Sequence, residues 1–283
     1  MRAFVLSGGA NYGALQVGAL DALLSYGIYP DIMVGVSAGA INAAWFATHP
    51  NLSGIEQLAR IWCHIAPQVF RPLDQATMFV KLVLRRESVL PNAALQRFIC
   101  KFLPAEMRFG NISDPRLYIV AARLADGAPR VFGDDPDDRL LDGLMASTAI
   151  PPLLPPWRVD GTAYIDGGIV SNLPLQVAIE RGADEVFALL NCPSFGGNGG
   201  DAPHEMSAVG FHAISLMIDH QMEHEIEVAK RNPRTRLHLI RLRPDADPGF
   251  WNFARAEELI ADGRRTTQEY LAQERLLEER TPA

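Results

Sequence analysis

Ser37 lies in Gly35-Val36-Ser37-Ala38-Gly39, where an apolar run stops and the small-residue pattern Ala40-Ile41-Asn42-Ala43-Ala44 begins. A hydroxyl in that setting has the layout of a nucleophile elbow: a strand, a cramped turn and then a helix. Side chains in place of Gly35 and Gly39 would collide with the neighbouring strand and helix. The hydroxyl stands above the sheet at a helix N-terminus, whose free N–H groups favour negative charge. Acyl transfer from such a serine needs two further groups, a base for its proton and donors for an oxyanion.

A second loop, Ser7-Gly8-Gly9-Ala10-Asn11-Tyr12-Gly13, follows the first apolar run and precedes a helical pattern. Parallel neighbouring strands bring it to the same sheet edge as Ser37. It reads as an oxyanion-hole loop, as a phosphate loop or as a tight turn. A dinucleotide fingerprint requires G-x-G-x-x-G and an acid near the end of the second strand. Ala10 stands at the third position here, and Asp31 is at the beginning of that strand. Nucleotide binding is therefore disfavoured.

The base is less directly legible. None of the seven histidines, at positions 49, 64, 204, 212, 220, 224 and 238, has a local signature of a catalytic partner. Tyr164-Ile165-Asp166-Gly167-Gly168 places a carboxylate at a strand end, followed by glycines that permit close backbone approach. The residue pattern alone leaves both kinds of base open.

The elements that must position these groups alternate. Strands are expected at Arg2–Leu6 and Ile32–Val36, with helices at Ala14–Tyr26 and Ala38–Thr48. Continuous apolar strands between helices imply a parallel sheet covered on both faces. Positions 52–103 are largely helical in pattern. Strands follow at Arg116–Ala122 and Arg130–Phe132, then a hairpin around Asp160-Gly161. A helix near Pro174, a strand Glu185–Leu190 and a strand Leu237–Leu242 between long helices complete the pattern. Pro193–Pro203, rich in glycine, reads as a loop. With no linker elsewhere, residues 1–283 are expected to form one domain.

Composition narrows the function. The chain has 283 residues, 48% of them hydrophobic, and a net charge of −7, which argues against a nucleic-acid surface. No apolar run is long enough to span a bilayer. Cys63, Cys100 and Cys192 are sparse and unpaired in spacing, so reduced core thiols and a cytoplasmic location are expected.

At this point the motifs converge on one family. Leu6-Ser7-Gly8-Gly9, the Ser37 elbow and Asp166-Gly167-Gly168, in that order, resemble the patatin-like phospholipases. Ala146-Ser147-Thr148-Ala149-Ile150-Pro151, Val170-Ser171-Asn172-Leu173-Pro174-Leu175 and the segment Ala256 to Gly263 extend the resemblance over nearly the whole chain. It implies a three-layer α/β/α fold with a mostly parallel sheet, and a lipid acyl hydrolase with no metal or cofactor. It implies Ser37 as nucleophile, Asp166 as proton acceptor without histidine, and an oxyanion hole from Gly8, Gly9 and the Ala38 N–H. Gly13, Gly35, Gly39, Gly167 and Gly168 flank these motifs. Work at a membrane or micelle surface follows from such substrates. The family's glycine-rich motif has a third glycine and then a cation, where this chain has Ala10 and Tyr12. Alanine fits with negative φ, whereas a left-handed conformation costs about 1–2 kcal/mol. Tyr12 is expected to stack on or hydrogen-bond the substrate. The alternatives are an acyltransferase with the same acyl-enzyme, a histidine-dependent triad, and a binding protein with a dead site.

Four other segments have plainer readings. Residues 76–86 form an apolar pattern ending in arginines, favoured as a buried helix over a lid or membrane-docking helix. His220-Gln221-Met222-Glu223-His224 matches H-x-x-E-H, but lies in a polar helix with no third ligand. Asp134-Asp135-Pro136-Asp137-Asp138 fits no EF-hand spacing and reads as a solvated turn ending in a helix cap. The prolines of Pro151 to Pro156 stiffen the chain ahead of the Asp166 hairpin.

Overall fold

A computed structural model describes residues 1–65, 90–192, 206–249 and 251–274, with the side chains of 206–208 and 211 excepted. Two of the segments singled out above, 76–86 and 193–203, lie outside the described residues, as does His204.

Among the described residues, eight strands form one sheet: β1 (Arg2–Leu6), β2 (Ile32–Val36), β3 (Arg116–Arg123), β4 (Pro129–Phe132), β5 (Trp157–Val159), β6 (Thr162–Asp166), β7 (Glu185–Asn191) and β8 (Arg236–Leu242). β3, β2, β1, β7 and β8 are parallel neighbours in that order, and β4, β5 and β6 add antiparallel pairings beside β3. Alternate residues of the parallel strands enter different cores. Phe4, Leu6, Met33, Ile119, Phe187 and Leu189 face one side, while Ala3, Val5, Val34, Val120 and Ala188 face the other. Both faces are covered, so the sheet is the middle of three layers. The first side carries α1 (Gly13–Ser25), α2 (Ala38–Thr48), α3 (Leu52–Arg60), α4 (Asn92–Cys100), α5 (Leu140–Ser147) and α8 (Ala256–Gln273). The second carries α6 (Leu175–Glu180) and α7 (Met206–Lys230).

The pairing of β3 decides where the chemistry sits. Arg116 to Val120 pair with β2, and Ala121 to Arg123 pair with β6. β4 pairs with Ile119 to Ala122, overlapping both sets. A strand residue has only two flanks, so β4 takes one and β2 and β6 divide the other. β2 runs up that flank to Val36, opposite Val120, and β6 comes down it to Asp166, opposite Ala121. The two strand ends abut. A Cβ on Gly167 would lie 2.2 Å from the Val120 carbonyl oxygen and 2.8 Å from Val36 Cγ2, so this junction admits only glycine.

Two smaller expectations are corrected. The residue preceding α5 is Arg139, with no side-chain cap; Asp138 instead binds Arg130 and the Gly133 N–H. Cys100 is exposed rather than in the core, and all three cysteines are free thiols.

Candidate active site

Ser37 occupies the turn between β2 and α2 with φ 54° and ψ −124°, a conformation disfavoured for a residue with a side chain. Strain of this kind, about 1–3 kcal/mol, persists only where the surroundings enforce it. The enforcement is visible. The Ser37 N–H donates to Ser147 Oγ at 2.9 Å, and its carbonyl accepts from Ala40 and Ile41 as α2 begins. A Cβ at Gly39 would lie 2.4 Å from the Leu6 carbonyl oxygen, so α2 passes directly over the end of β1. The Ala38 and Gly39 N–H groups precede the first helical hydrogen bonds and are donors at a helix N-terminus.

Asp166 is 4% exposed. Its Oδ1 accepts the Gly168 N–H at 2.8 Å, and its own N–H donates to the Ala149 carbonyl at 3.0 Å. Oδ2 is buried with no partner of ordinary hydrogen-bond geometry. Desolvation pushes the carboxyl pKa up to about 6, opposed by the Ser37 hydroxyl and the Gly168 N–H. The Ser37 hydroxyl is therefore near enough to the Asp166 carboxyl to lower its pKa, and Oδ2 is the carboxyl oxygen with no hydrogen bond of its own. Such contacts tighten when substrate is bound. Ser147 is the last residue of α5 and Ala149 lies two residues beyond it, so one short segment braces the backbones of both Ser37 and Asp166.

The glycine-bearing loop adjoins them, since a Cβ on Gly8 would lie 3.2 Å from Ser37 Cβ. Its donors are not equivalent. The Gly8 N–H is already engaged by the Asn172 carbonyl at 3.2 Å, and the Gly8 carbonyl accepts from Ser7 and Asn191 side chains. Gly8 thus fixes the loop and is not an unengaged oxyanion donor as expected from sequence. Gly9 and Ala38 are the remaining members of that set. Ala10 adopts φ 47°, the left-handed case, at about 1–2 kcal/mol.

Tyr12 is placed differently from expectation. It is 1% exposed, packs in the core, and its hydroxyl donates to Asp247 Oδ1 at 2.5 Å. Burial raises its pKa and keeps the phenol protonated. Beside it, Asn11 bonds the Gly249 and Asn252 carbonyls and accepts the Trp251 N–H. Where the family motif has a cation, this chain has a clamp onto 247–252, and the tyrosine is screened from substrate.

Sequence reasoning passed over a buried polar chain beneath the site. Gln16 donates to the carbonyls of Ser7 and Leu189, Asn42 to Gly13 and Gln16, and Trp62 to Asn42. It closes the Ser7 carbonyl just past the end of β1, which left buried and unpaired would cost about 1–3 kcal/mol, and adds a second donor to the Leu189 carbonyl, which also accepts the Ser7 N–H. The signal was present, because Gln16 and Asn42 are large amides in largely apolar helices, where α1 otherwise carries only Asp21 and Ser25 and α2 only Thr48 as polar residues.

Two of the rival bases are engaged elsewhere. His49 stacks on Trp45, and His238 lies between Glu185 and Tyr270. His220 and His224 are exposed on α7. Among the described residues, no group of three or more His, Cys, Asp or Glu side chains is placed to hold a metal ion. Nor is any helix among them long and apolar enough to cross a membrane.

Comparison with known proteins bears on the same region. A family described as patatin-like phospholipase matches residues 4–179, which include both Ser37 and Asp166. Patatin-like phospholipase domain-containing protein 6 of Mus musculus is 30% identical over 190 residues, 66% of this chain and 13% of its own length. Lysophospholipase NTE1 of Candida albicans is 26% identical over 187 residues, 65% of this chain and 13% of its length. The chain thus spans about an eighth of these curated relatives. VipD from Legionella pneumophila shares the fold at a TM-score of 0.51 and 17% identity, covering 96% of this chain and 67% of that one. With more than half of its residues matched to that family and its three-layer architecture in place, the chain belongs to the patatin-like phospholipases.

Proposed function

We propose that this single-domain chain is a lipid acyl hydrolase in which Ser37 and Asp166 act as a dyad. The observation that supports it most is a buried, unpartnered carboxylate oxygen on Asp166 beside a serine held in a strained elbow. In acylation, Asp166 Oδ2 takes the Ser37 hydroxyl proton as Oγ bonds to the ester carbonyl carbon. The carbonyl oxygen becomes an oxyanion facing the Gly9 and Ala38 N–H groups. Collapse breaks the ester C–O bond, and Asp166 returns the proton to the departing alcohol. Water then attacks the acyl-enzyme with the same proton transfers, releasing fatty acid and restoring Ser37. No group beyond these is required. The contacts of His49, His64 and His238 support a dyad over a triad at those three positions, because those rings are engaged elsewhere.

The test is release of free fatty acid from a phospholipid with no acyl acceptor other than water. Acid in proportion to substrate consumed supports hydrolysis. Acyl transfer only when an alcohol acceptor is added, with no acid released, overturns it in favour of an acyltransferase.

The same assignment fixes a pH dependence. Asp166 must be ionised to accept the proton, and its pKa is raised to about 6. kcat/KM is expected to fall below about pH 6 with a single-proton slope and to be level above it. A profile level down to pH 4.5 would remove Asp166 as the base.

Ser147 supports the elbow through one hydrogen bond to the Ser37 N–H. Ser147→Ala leaves that N–H unpaired, at about 1–3 kcal/mol of stability. It is expected to lower kcat about ten-fold or more with KM little changed. A change confined to thermal stability would show the brace to be dispensable for chemistry.

A further inference from the structure

Most of α7 behaves as a cover for the sheet, but its first half does not. Between Glu205 and Asp219 the chain has thirteen consecutive residues without a carboxylate, lysine or arginine, His212 alone being titratable. Within that stretch Val209, Ile214, Leu216 and Met217 are 47% to 72% exposed, and Ala213 is exposed with them. At 100° per residue these five side chains span about 160° of one continuous face. The opposite arc carries Ser215, Met222, Ile226 and Ala229, all buried. An exposed apolar face of this width on a water-facing helix marks a contact surface.

Its position says what it contacts. Ile214, Met217 and Gln221 follow one another along the helix at the i, i+3, i+7 spacing of a single stripe. Gln221 accepts the Asn172 N–H at 3.1 Å and donates to the Ile169 carbonyl at 3.2 Å. Ile169 is itself an exposed apolar side chain, three residues after Asp166. The Asn172 carbonyl in turn holds the Gly8 N–H beside Ser37. Gln221, one turn beyond Met217 on the same stripe, thus ties the helix that carries the apolar face to the loop that carries the base.

We propose that this face of α7, together with Ile169, seats the protein on a lipid surface and turns the mouth of the Ser37 site toward it. Flexible leucine, isoleucine and methionine side chains without charge suit the boundary between headgroups and acyl chains. Charge reappears at Asp219 and Glu223, on the turn that Gln221 ties to that loop, and bounds the uncharged face there. The inference rests on reading the site as a lipid hydrolase, because continuity with that site selects lipid over a protein partner.

The probe is a vesicle of phosphatidylcholine, and the variant is Leu216→Asp with Met217→Asp. Vesicle partitioning is measured in a Ser37→Ala background so that the bilayer stays intact. Hydrolysis is measured in the active background, on vesicles and on a water-soluble monomeric ester, p-nitrophenyl butyrate. The double variant is expected to partition about ten-fold more weakly and to lose vesicle hydrolysis in step. Its kcat/KM on the soluble ester is expected to stay within about two-fold. Leu124→Asp, at an exposed apolar residue on the β3–β4 turn, is expected to change none of these. Unchanged partitioning in the double variant, or no partitioning of the parent protein, overturns the proposal. So does a dimer that the double variant splits, because the face would then bury a second copy. Loss of soluble-ester hydrolysis in the otherwise unmodified enzyme is a different failure: it removes the hydrolase reading, while partitioning still tests the surface.

Discussion

Asp166→Asn is expected to make the protein nearly inactive and, at neutral pH, more stable. The loss of activity follows from removing the carboxylate proposed to take the Ser37 proton, at about 10²–10⁴ in kcat. The gain in stability follows from the same burial that tunes it. Folding raises the carboxyl pKa from 3.8 to about 6. Below about pH 4 the group is protonated in folded and unfolded chains alike and contributes nothing. Between about pH 4 and 6 the unfolded chain ionises while the folded one holds its proton, so stability falls as pH rises. Above about pH 6 both are ionised and the deficit is constant, about 3 kcal/mol for a shift of roughly two units. Asparagine has no charge to desolvate and keeps an oxygen for the Gly168 N–H. The variant's melting temperature is expected to exceed that of the parent by several degrees at pH 7.5, with the gap closing by pH 4. A variant less stable than the parent at pH 7.5 would mean that the ionised carboxylate is well solvated in the folded protein.

Ser37→Ala is expected to abolish ester hydrolysis, by about 10⁴-fold or more, because no acyl-enzyme can form. Intact-mass analysis after fluorophosphonate treatment reads the same chemistry without turnover. A single adduct on the parent protein, absent from Ser37→Ala and slow to form on Asp166→Asn, is the expected pattern. Equal labelling of Ser37→Ala would place the reactive nucleophile elsewhere. The alanine variant also removes the hydroxyl that lowers the Asp166 pKa. Its carboxyl is therefore expected to titrate higher than in the parent, which an infrared difference titration would detect.

The legible and illegible parts of this protein divide along a physical line. Local pattern was sufficient for β1, β2 and the first two helices, because continuous apolar strands and small-residue helices leave few other readings. The Asp160-Gly161 turn also follows from its residues, both of which take positive φ. Ser37 and Asp166 were readable as a strained serine and a strand-end acid. What brings them together was not, since it depends on two strands sharing one flank of a third. Tyr12 shows the limit of reading a motif by substitution. Its position promised a substrate contact, but the hydroxyl's partner is Asp247, 235 residues away, and no local pattern encodes that. Gly8 failed for a related reason. A glycine loop advertises free N–H groups, and only the fold reveals that the Asn172 carbonyl has taken one. Asn191 was missed as well, although a polar residue closing an apolar strand at the site's edge was a usable clue.

The division of β3 has a consequence for how this site can vary. β3 offers no side chain to the chemistry, yet its length works as a ruler. Five of its residues are measured off by β2 and the next three by β6, so the serine and the acid meet at the graduation between Val120 and Ala121. Side-chain changes along β3 leave that graduation in place. A slip of β6 by one residue would turn Asp166 to the opposite face of the sheet. The spacing of Ser37 and Asp166 is thus recorded in backbone count, and it can stay fixed while the residues that keep it drift.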